Sequence, residues 1–138
     1  MSTPRVGVIG AGSLGYHHVR LLRDMPNAEF AGFYDIDATR AAAVQAELGA
    51  IAAPSLTALL DRVDAVTVVV PTPAHHAVAK QALSRGVHVL IEKPITTSLD
   101  DSVGDVPHTL LAAAYWEATP GAIWALYEAS IGPPGVGL

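Results

Sequence analysis

Cysteine is absent from the 138 residues. That excludes disulfide frameworks, thiolate zinc ribbons, thiol catalysis and sulfur redox chemistry. Cationic charge is scarce as well: 8 Lys and Arg stand against 13 Asp and Glu, a net charge of −5. Nucleic-acid binders need clustered Lys and Arg against phosphate, so no nucleic-acid partner is expected. No clean apolar run reaches the roughly 18 residues of a membrane span. Leu110 to Ile131 comes nearest, and Glu117, Glu128 and the Pro120-Gly121 breaker interrupt it. No membrane association is expected. A cleavable signal is not legible either, because the apolar stretch Val6 to Leu14 is short and broken by glycines. The expectation is a cytoplasmic protein.

All eight basic residues lie between Arg5 and Lys93, whereas residues 94–138 hold five acids, both tryptophans and no base. The composition therefore changes near Pro94. Residues 1–100 read as one domain and residues 101–138 as a divergent, helical tail.

The first ninety residues alternate short β-branched runs with helical patterns, the signature of βαβ units and a parallel sheet. Strands are expected at Arg5–Ile9, Glu29–Tyr34, Ile51–Ala52 (short), Asp64–Val70 and Val87–Ile91. Helices are expected over Ser13–Arg23, with Leu14, His18, Leu21 and Leu22 at helical spacing, and over Thr39–Leu48, Ser55–Asp61 and Ala74–Arg85. Gly49 and Gly86 follow two of them as stops. The run Asp64 to Val70 is apolar enough to be covered on both faces, which places it centrally. The fold class is α/β: a Rossmann-like doubly wound parallel sheet of about five strands with helices on both faces and a short helical C-terminal tail.

Gly10-Ala11-Gly12-Ser13-Leu14-Gly15 is a G-x-G-x-x-G turn. It leaves a predicted strand, opens a predicted helix and precedes Asp35 by twenty residues at the end of the next strand, which is the dinucleotide fingerprint. Gly10 permits the tight turn, Gly12 lets backbone approach a pyrophosphate, and Gly15 permits close helix–strand packing. The helix start supplies N–H groups and a positive dipole end to the phosphates. Asp35 would accept the adenosine ribose hydroxyls and repel a 2′-phosphate, so NAD is favoured over NADP. Asp37 adds negative charge. Arg40 could reach a phosphate, but a solvated charge on a helix face accounts for it better.

Ligands of doubly wound sheets lie beyond the carboxyl ends of the strands. There the chain has Pro71-Thr72-Pro73-Ala74-His75-His76 and Glu92-Lys93-Pro94. An isolated His pair reads as a polar helix start and an isolated Lys as a solvated charge; convergence of His75 and Lys93 on one crevice gives both a second meaning. No metal site is expected.

The run Val6 to Gly12, Asp35, Val70-Pro71 with His75, and Gly86 to Pro94 together resemble the amino-terminal domain of the Gfo/Idh/MocA oxidoreductases over about residues 4–100. Glu92-Lys93-Pro94 is the most specific element. Within that family the wording Pro71-Thr72 and His75-His76 is most similar to sugar-nucleotide 3-dehydrogenases. The resemblance implies NAD(P) as cofactor and a sugar or polyol as small-molecule substrate. It implies that Pro71 and Thr72 line the adenosine side, that His75 lies near the nicotinamide ribose, and that Glu92 and Lys93 sit by nicotinamide and substrate. Lys93, with His75, is then the catalytic candidate. A homo-oligomer is compatible with this reading.

After Asp101 the resemblance stops. Val103-Gly104-Asp105-Val106-Pro107 breaks the helix that Ser98 would begin, and the family's second, substrate domain is expected to be absent. Two functions stand at this point: a dehydrogenase domain that moves hydride between a nicotinamide and a sugar-like hydroxyl, and a non-catalytic NAD(P)-binding module or truncated remnant.

Overall fold

The computed structural model describes residues 3–91. Four strands, β1 (Arg5–Ile9), β2 (Glu29–Tyr34), β3 (Ala65–Val68) and β4 (His88–Ile91), pair in parallel in the order β2-β1-β3-β4. The expected short third strand is present as a single parallel bridge between Ala52 and Phe33, outside β2. The Phe33 N–H donates to the Ile51 carbonyl at 3.0 Å, and the Ala53 N–H to the Phe33 carbonyl at 2.7 Å. With that bridge the sheet has the doubly wound order in which the chain returns across β1 to form β3. The expected C-terminal helical tail, with Glu92 and Lys93, lies outside the described residues.

Helices α1 (Ser13–Arg23), α2 (Ala38–Leu48), α3 (Leu56–Leu60) and α4 (His75–Ser84) cover both faces. Strand residues point alternately up and down, and the core divides accordingly. Val6, Val8, Phe33 and Ala65 pack with Val19, Leu22 and Val44 of α1 and α2. Ile9, Val66, Val68 and Val89 pack with Leu59, Leu60, Ala79 and Ala82 of α3 and α4. All four residues of β3 are buried, as a central strand sandwiched between two helical layers requires.

The buried stripe of α1 differs from the sequence expectation. It comprises Gly15, His18, Val19 and Leu22, whereas Leu14 and Leu21 are 50% and 43% exposed. The stripe turns toward Gly15 because the helix must approach the strand where no side chain intervenes. His18 is thereby buried, with Nδ1 3.2 Å from the Thr67 hydroxyl of β3.

Local chemistry sets the helix ends. Asp37 caps α2 by accepting from the N–H groups of Thr39 and Arg40, Ser55 caps α3 through the Ala58 N–H, and Gly49 ends α2 in the left-handed region at φ 66°. A 3-10 turn, Thr72–Ala74, precedes α4, so the helix begins at His75 rather than at Ala74. Helices α1 and α2 are stapled together by two bonds, Tyr16 Oη to Glu47 Oε1 at 2.9 Å and Arg23 Nη1 to the Leu48 carbonyl at 2.7 Å. The Glu47 carboxylate raises the Tyr16 phenol above its usual range.

Candidate functional site

The switch in strand order between β1 and β3 opens a crevice at their carboxyl ends, the place where such sheets take ligands. A cleft of about 780 Å³ lies there, lined on one side by Gly10, Gly12, Ser13, Leu14 and Gly15 and on another by Asp35, Ile36 and Arg40. Val69, Val70, Pro71, Thr72, Ala74 and His75 form a third side. Of the residues chosen from the sequence, Gly10, Gly12, Ser13, Leu14, Gly15, Asp35, Pro71, Thr72 and His75 line this one cleft. Ala11 lies buried beneath it.

Each glycine of the turn has a separate geometric reason. Gly10 has φ +96°, a left-handed conformation that glycine alone adopts at no steric cost. A Cβ at Gly15 would lie 1.9 Å from the Gly10 carbonyl oxygen, so α1 can start against the turn only without a side chain there. Gly12, the N-cap of α1, meets nothing within 4 Å of an added Cβ, so the space in front of it is open. The Tyr16 N–H bonds to the Gly12 carbonyl at 2.8 Å; the N–H groups of Ser13, Leu14 and Gly15 belong to the first turn, where an α-helix has no partners of its own to offer. No acidic residue lies in that turn, which leaves the positive end of the helix dipole for an anion.

Asp35 follows β2, and its side chain is only 4% exposed. Its Oδ2 accepts from the Ala11 N–H and its Oδ1 from the Asp37 N–H, both at 2.8 Å. A buried carboxylate needs such donors to offset its lost hydration. Arg40 supplies a further one: Nη1 lies 3.3 Å from Oδ2 and 3.4 Å from Oδ1, and Nη2 lies 3.9 Å from Asp37 Oδ2. Arg40 is therefore not the solvated helix-face charge that the sequence suggested. It belongs to the site, and its signal was the five-residue spacing from Asp35 across a capped helix start. Ile36, 89% exposed on the same rim, was likewise not singled out.

His75 is buried, 2% exposed. Its Nε2 lies 2.8 Å from the Val70 carbonyl, and since a carbonyl only accepts, Nε2 carries the proton in that bond. The ring thus clasps the turn between β3 and α4. Lys93 and Glu92 lie outside the described residues.

The model of the oxidoreductase family with an NAD-binding Rossmann fold, GFO_IDH_MocA, matches residues 4–105. The chain belongs to the Gfo/Idh/MocA family. The UDP-N-acetylglucosamine 3-dehydrogenase of Acidithiobacillus ferrooxidans is 42% identical over 135 residues, which cover 94% of this chain and 42% of that protein. Inositol 2-dehydrogenase 3 of Saccharopolyspora erythraea is 41% identical over 104 residues, 72% of this chain and 30% of that protein. The chain thus spans less than half the length of these relatives. A solved structure of the A. ferrooxidans enzyme superposes with a TM-score of 0.70 at 39% identity, covering 97% of this chain and 45% of that one. A protein of gentamicin A biosynthesis, solved in complex with NAD, also gives 0.70, at 27% identity over 86% of this chain and 33% of its own. As a member of this family the chain carries its NAD(P)-binding Rossmann domain. Among the described residues no helix is long and apolar enough to cross a membrane.

Proposed function

We propose that this chain binds NAD in preference to NADP along the β1–β3 crevice, as the cofactor half of a dehydrogenase acting on a sugar, polyol or sugar-nucleotide hydroxyl. The substrate class rests on relatives named for UDP-N-acetylglucosamine, inositol and glucose 6-phosphate oxidation. The observation that carries the cofactor reading is that the open space before Gly12 and the buried Asp35 carboxylate face one cleft. In this reading the turn from Gly10 through Ala11, Gly12, Ser13 and Leu14 to Gly15 holds the pyrophosphate, Asp35 takes the adenosine ribose, and Pro71 and Thr72 border the adenosine. The His75 turn lies toward the nicotinamide ribose, with Glu92 and Lys93 beyond it.

A nicotinamide held there would supply the hydride chemistry at the substrate carbon. The protein's part is to orient it, to exclude water, and to take or return the hydroxyl proton, a role the family resemblance gives to Lys93. His75 supports that arrangement by fixing the turn through Val70.

Gly12→Val tests the cofactor reading. Its branched side chain would fill the open space without touching the sheet, so calorimetric titration should show NAD binding to the parent chain and none to a variant with an unchanged circular dichroism spectrum. Undiminished NAD affinity in folded Gly12→Val would place the ligand elsewhere.

A further inference from the structure

Successive residues of α1 turn by about 100°, and its sides meet different surroundings. The side with Tyr16 and Arg23 bonds to α2. The middle, with Gly15, Val19 and Leu22, is buried against the sheet. Past His18, whose ring contacts Thr67 of β3, come Leu14 and Leu21, seven residues apart on one flank. That flank faces away from α2, on the side of the sheet where β4 lies. The two leucines are 50% and 43% exposed there.

The floor beside them is apolar as well. Ala65 pairs with His88 and Thr67 with Leu90, so His88 and Leu90 rise on the α1 face of β4, opposite Val89, which packs with α4. Both are only half-buried. Parallel sheets carry helices on both faces, yet among the described residues α1 packs on β1 and β2 while α4 packs on β3 and β4 from the other face. A shallow groove results on the α1 face, between the Leu14 and Leu21 flank and Leu90.

The sequence after β4 supplies a segment that fits it. Residues 120–131 have the pattern of an amphipathic helix: Thr119 stands at the N-cap, Pro120 at the first position, and Gly132-Pro133-Pro134 at the stop. Ile123, Leu126, Tyr127 and Ile131 recur at i, i+3, i+4 and i+8. Such a helix draws most of its stability from whatever its apolar stripe packs against. Its length, about 18 Å, exceeds the roughly 10 Å from Leu14 to Leu21. Residues 92–119 join it to the end of β4, a reach of several tens of ångströms when extended. Charge agrees, since α1 exposes His17, Arg20 and Arg23 and contains no acid, whereas residues 94–138 hold five acids and no base.

We propose that residues 120–131 of this chain dock as a helix in the groove between α1 and β4, setting the stripe of Ile123, Leu126, Tyr127 and Ile131 on Leu14, Leu21 and Leu90. The tail then completes the covering of the sheet instead of trailing from it. This holds whatever ligand fills the cleft.

Both tryptophans, Trp116 and Trp124, lie in the tail and residues 1–115 hold none, so indole fluorescence of the full 138-residue chain reports the tail alone. Trp116→Phe leaves Trp124 as a probe inside the segment. In that background the emission is expected to be blue and shielded from acrylamide. Leu21→Asp, at a position already half in solvent, should move the emission to the red and remove the shielding while the cooperative melt persists. Leu126→Asp makes the same test from the segment's side and decides the matter if Leu21→Asp does not fold. Ile51→Asp, an exposed apolar position at the opposite edge of the sheet, should change neither emission nor shielding. Emission that is red and fully quenched from the start would overturn the proposal, as would a response to Leu21→Asp no larger than that to Ile51→Asp. Light scattering identifies which copy supplies the segment: shielding in the monomer upholds docking within one chain, and shielding found only in a dimer would overturn it in favour of a second copy.

Discussion

Replacing Gly15 by alanine adds one methyl group where the structure has no room for it. The new Cβ would lie 1.9 Å from the Gly10 carbonyl oxygen and 2.7 Å from its carbon, more than an ångström inside ordinary contact. The obstacle is backbone, so no rotamer change relieves it. Either α1 withdraws from the sheet or the turn deforms. Withdrawal loosens Val19 and Leu22, both within 1% of complete burial, together with the His18 contact to Thr67. Deformation strains Gly10, already at φ +96° and itself pressed against Val69, whose carbonyl would lie 2.3 Å from a Cβ there. Overpacking of a well-filled core costs about 1–3 kcal/mol and more where the obstacle cannot yield, so Gly15→Ala is expected at the upper end, about 3 kcal/mol. For a chain of this size that corresponds to a fall in Tm on the order of 10 °C. Gly12→Ala is the internal control: its Cβ meets nothing and its φ of −68° suits any residue. Its stability should stay within about 0.5 kcal/mol of the parent. Thermal melts by circular dichroism decide the matter, and a Gly15→Ala protein that melts with the parent would refute the packing argument.

Two further outcomes concern stability. Thr67→Val should cost about 1–2 kcal/mol by withdrawing the hydroxyl from the buried His18 imidazole, with Thr67→Ser melting closer to the parent; equal melts for all three would show that the 3.2 Å contact contributes nothing. The Arg5 guanidinium and N–H hold the Asp64 carboxyl below its usual range. A depressed carboxyl stabilises the fold above its unfolded pKa and loses that contribution as pH falls through the folded value. The stability difference between parent and Arg5→Gln should therefore be level down to about pH 5 and shrink below about pH 4 as Asp64 takes up its proton; a difference that does not shrink on acidification would show that the pairing is not its cause.

Period and punctuation made most of the sheet legible. Val6-Gly7-Val8-Ile9 and Asp64 to Val70 are too apolar for a one-sided sheet, and the glycine turn between β1 and α1 has a spacing that few other structures require. The ends were less legible because they depend on neighbours. The expected Asp64–Val70 strand pairs only over Ala65–Val68; the Val69 N–H makes one last bond to the Ile9 carbonyl before the chain passes into the 3-10 turn at Thr72. The buried face of α1 is not legible from the sequence because glycine counts for nothing in an apolar pattern, yet Gly15 is where the helix presses against the turn with no room for a side chain. Arg40 was assigned to solvent because its partner, Asp35, sits in a different element and its pairing needs the capped start of α2 to aim it. His75 was chosen for its position past β3, which the cleft lining shares; that its Nε2 turns back to the Val70 carbonyl is a tertiary fact with no trace in the spacing.

The bond from the Ala11 N–H to Asp35 has a consequence for anyone redesigning cofactor use. The obvious route to an NADP-accepting protein is to remove the acidic residue at the end of β2. In this chain the same carboxylate fastens the middle of the glycine turn through Oδ2 and the start of α2 through Oδ1. In the proposed site, cofactor preference and the shape of the glycine turn are therefore not separable modules. A variant such as Asp35→Ser would relax the turn as well as the proposed ribose contact, and any affinity it lost would confound the two. Redesign is better begun at the rim, at Ile36 and Arg40, whose side chains face the cleft without fastening the loop beneath it.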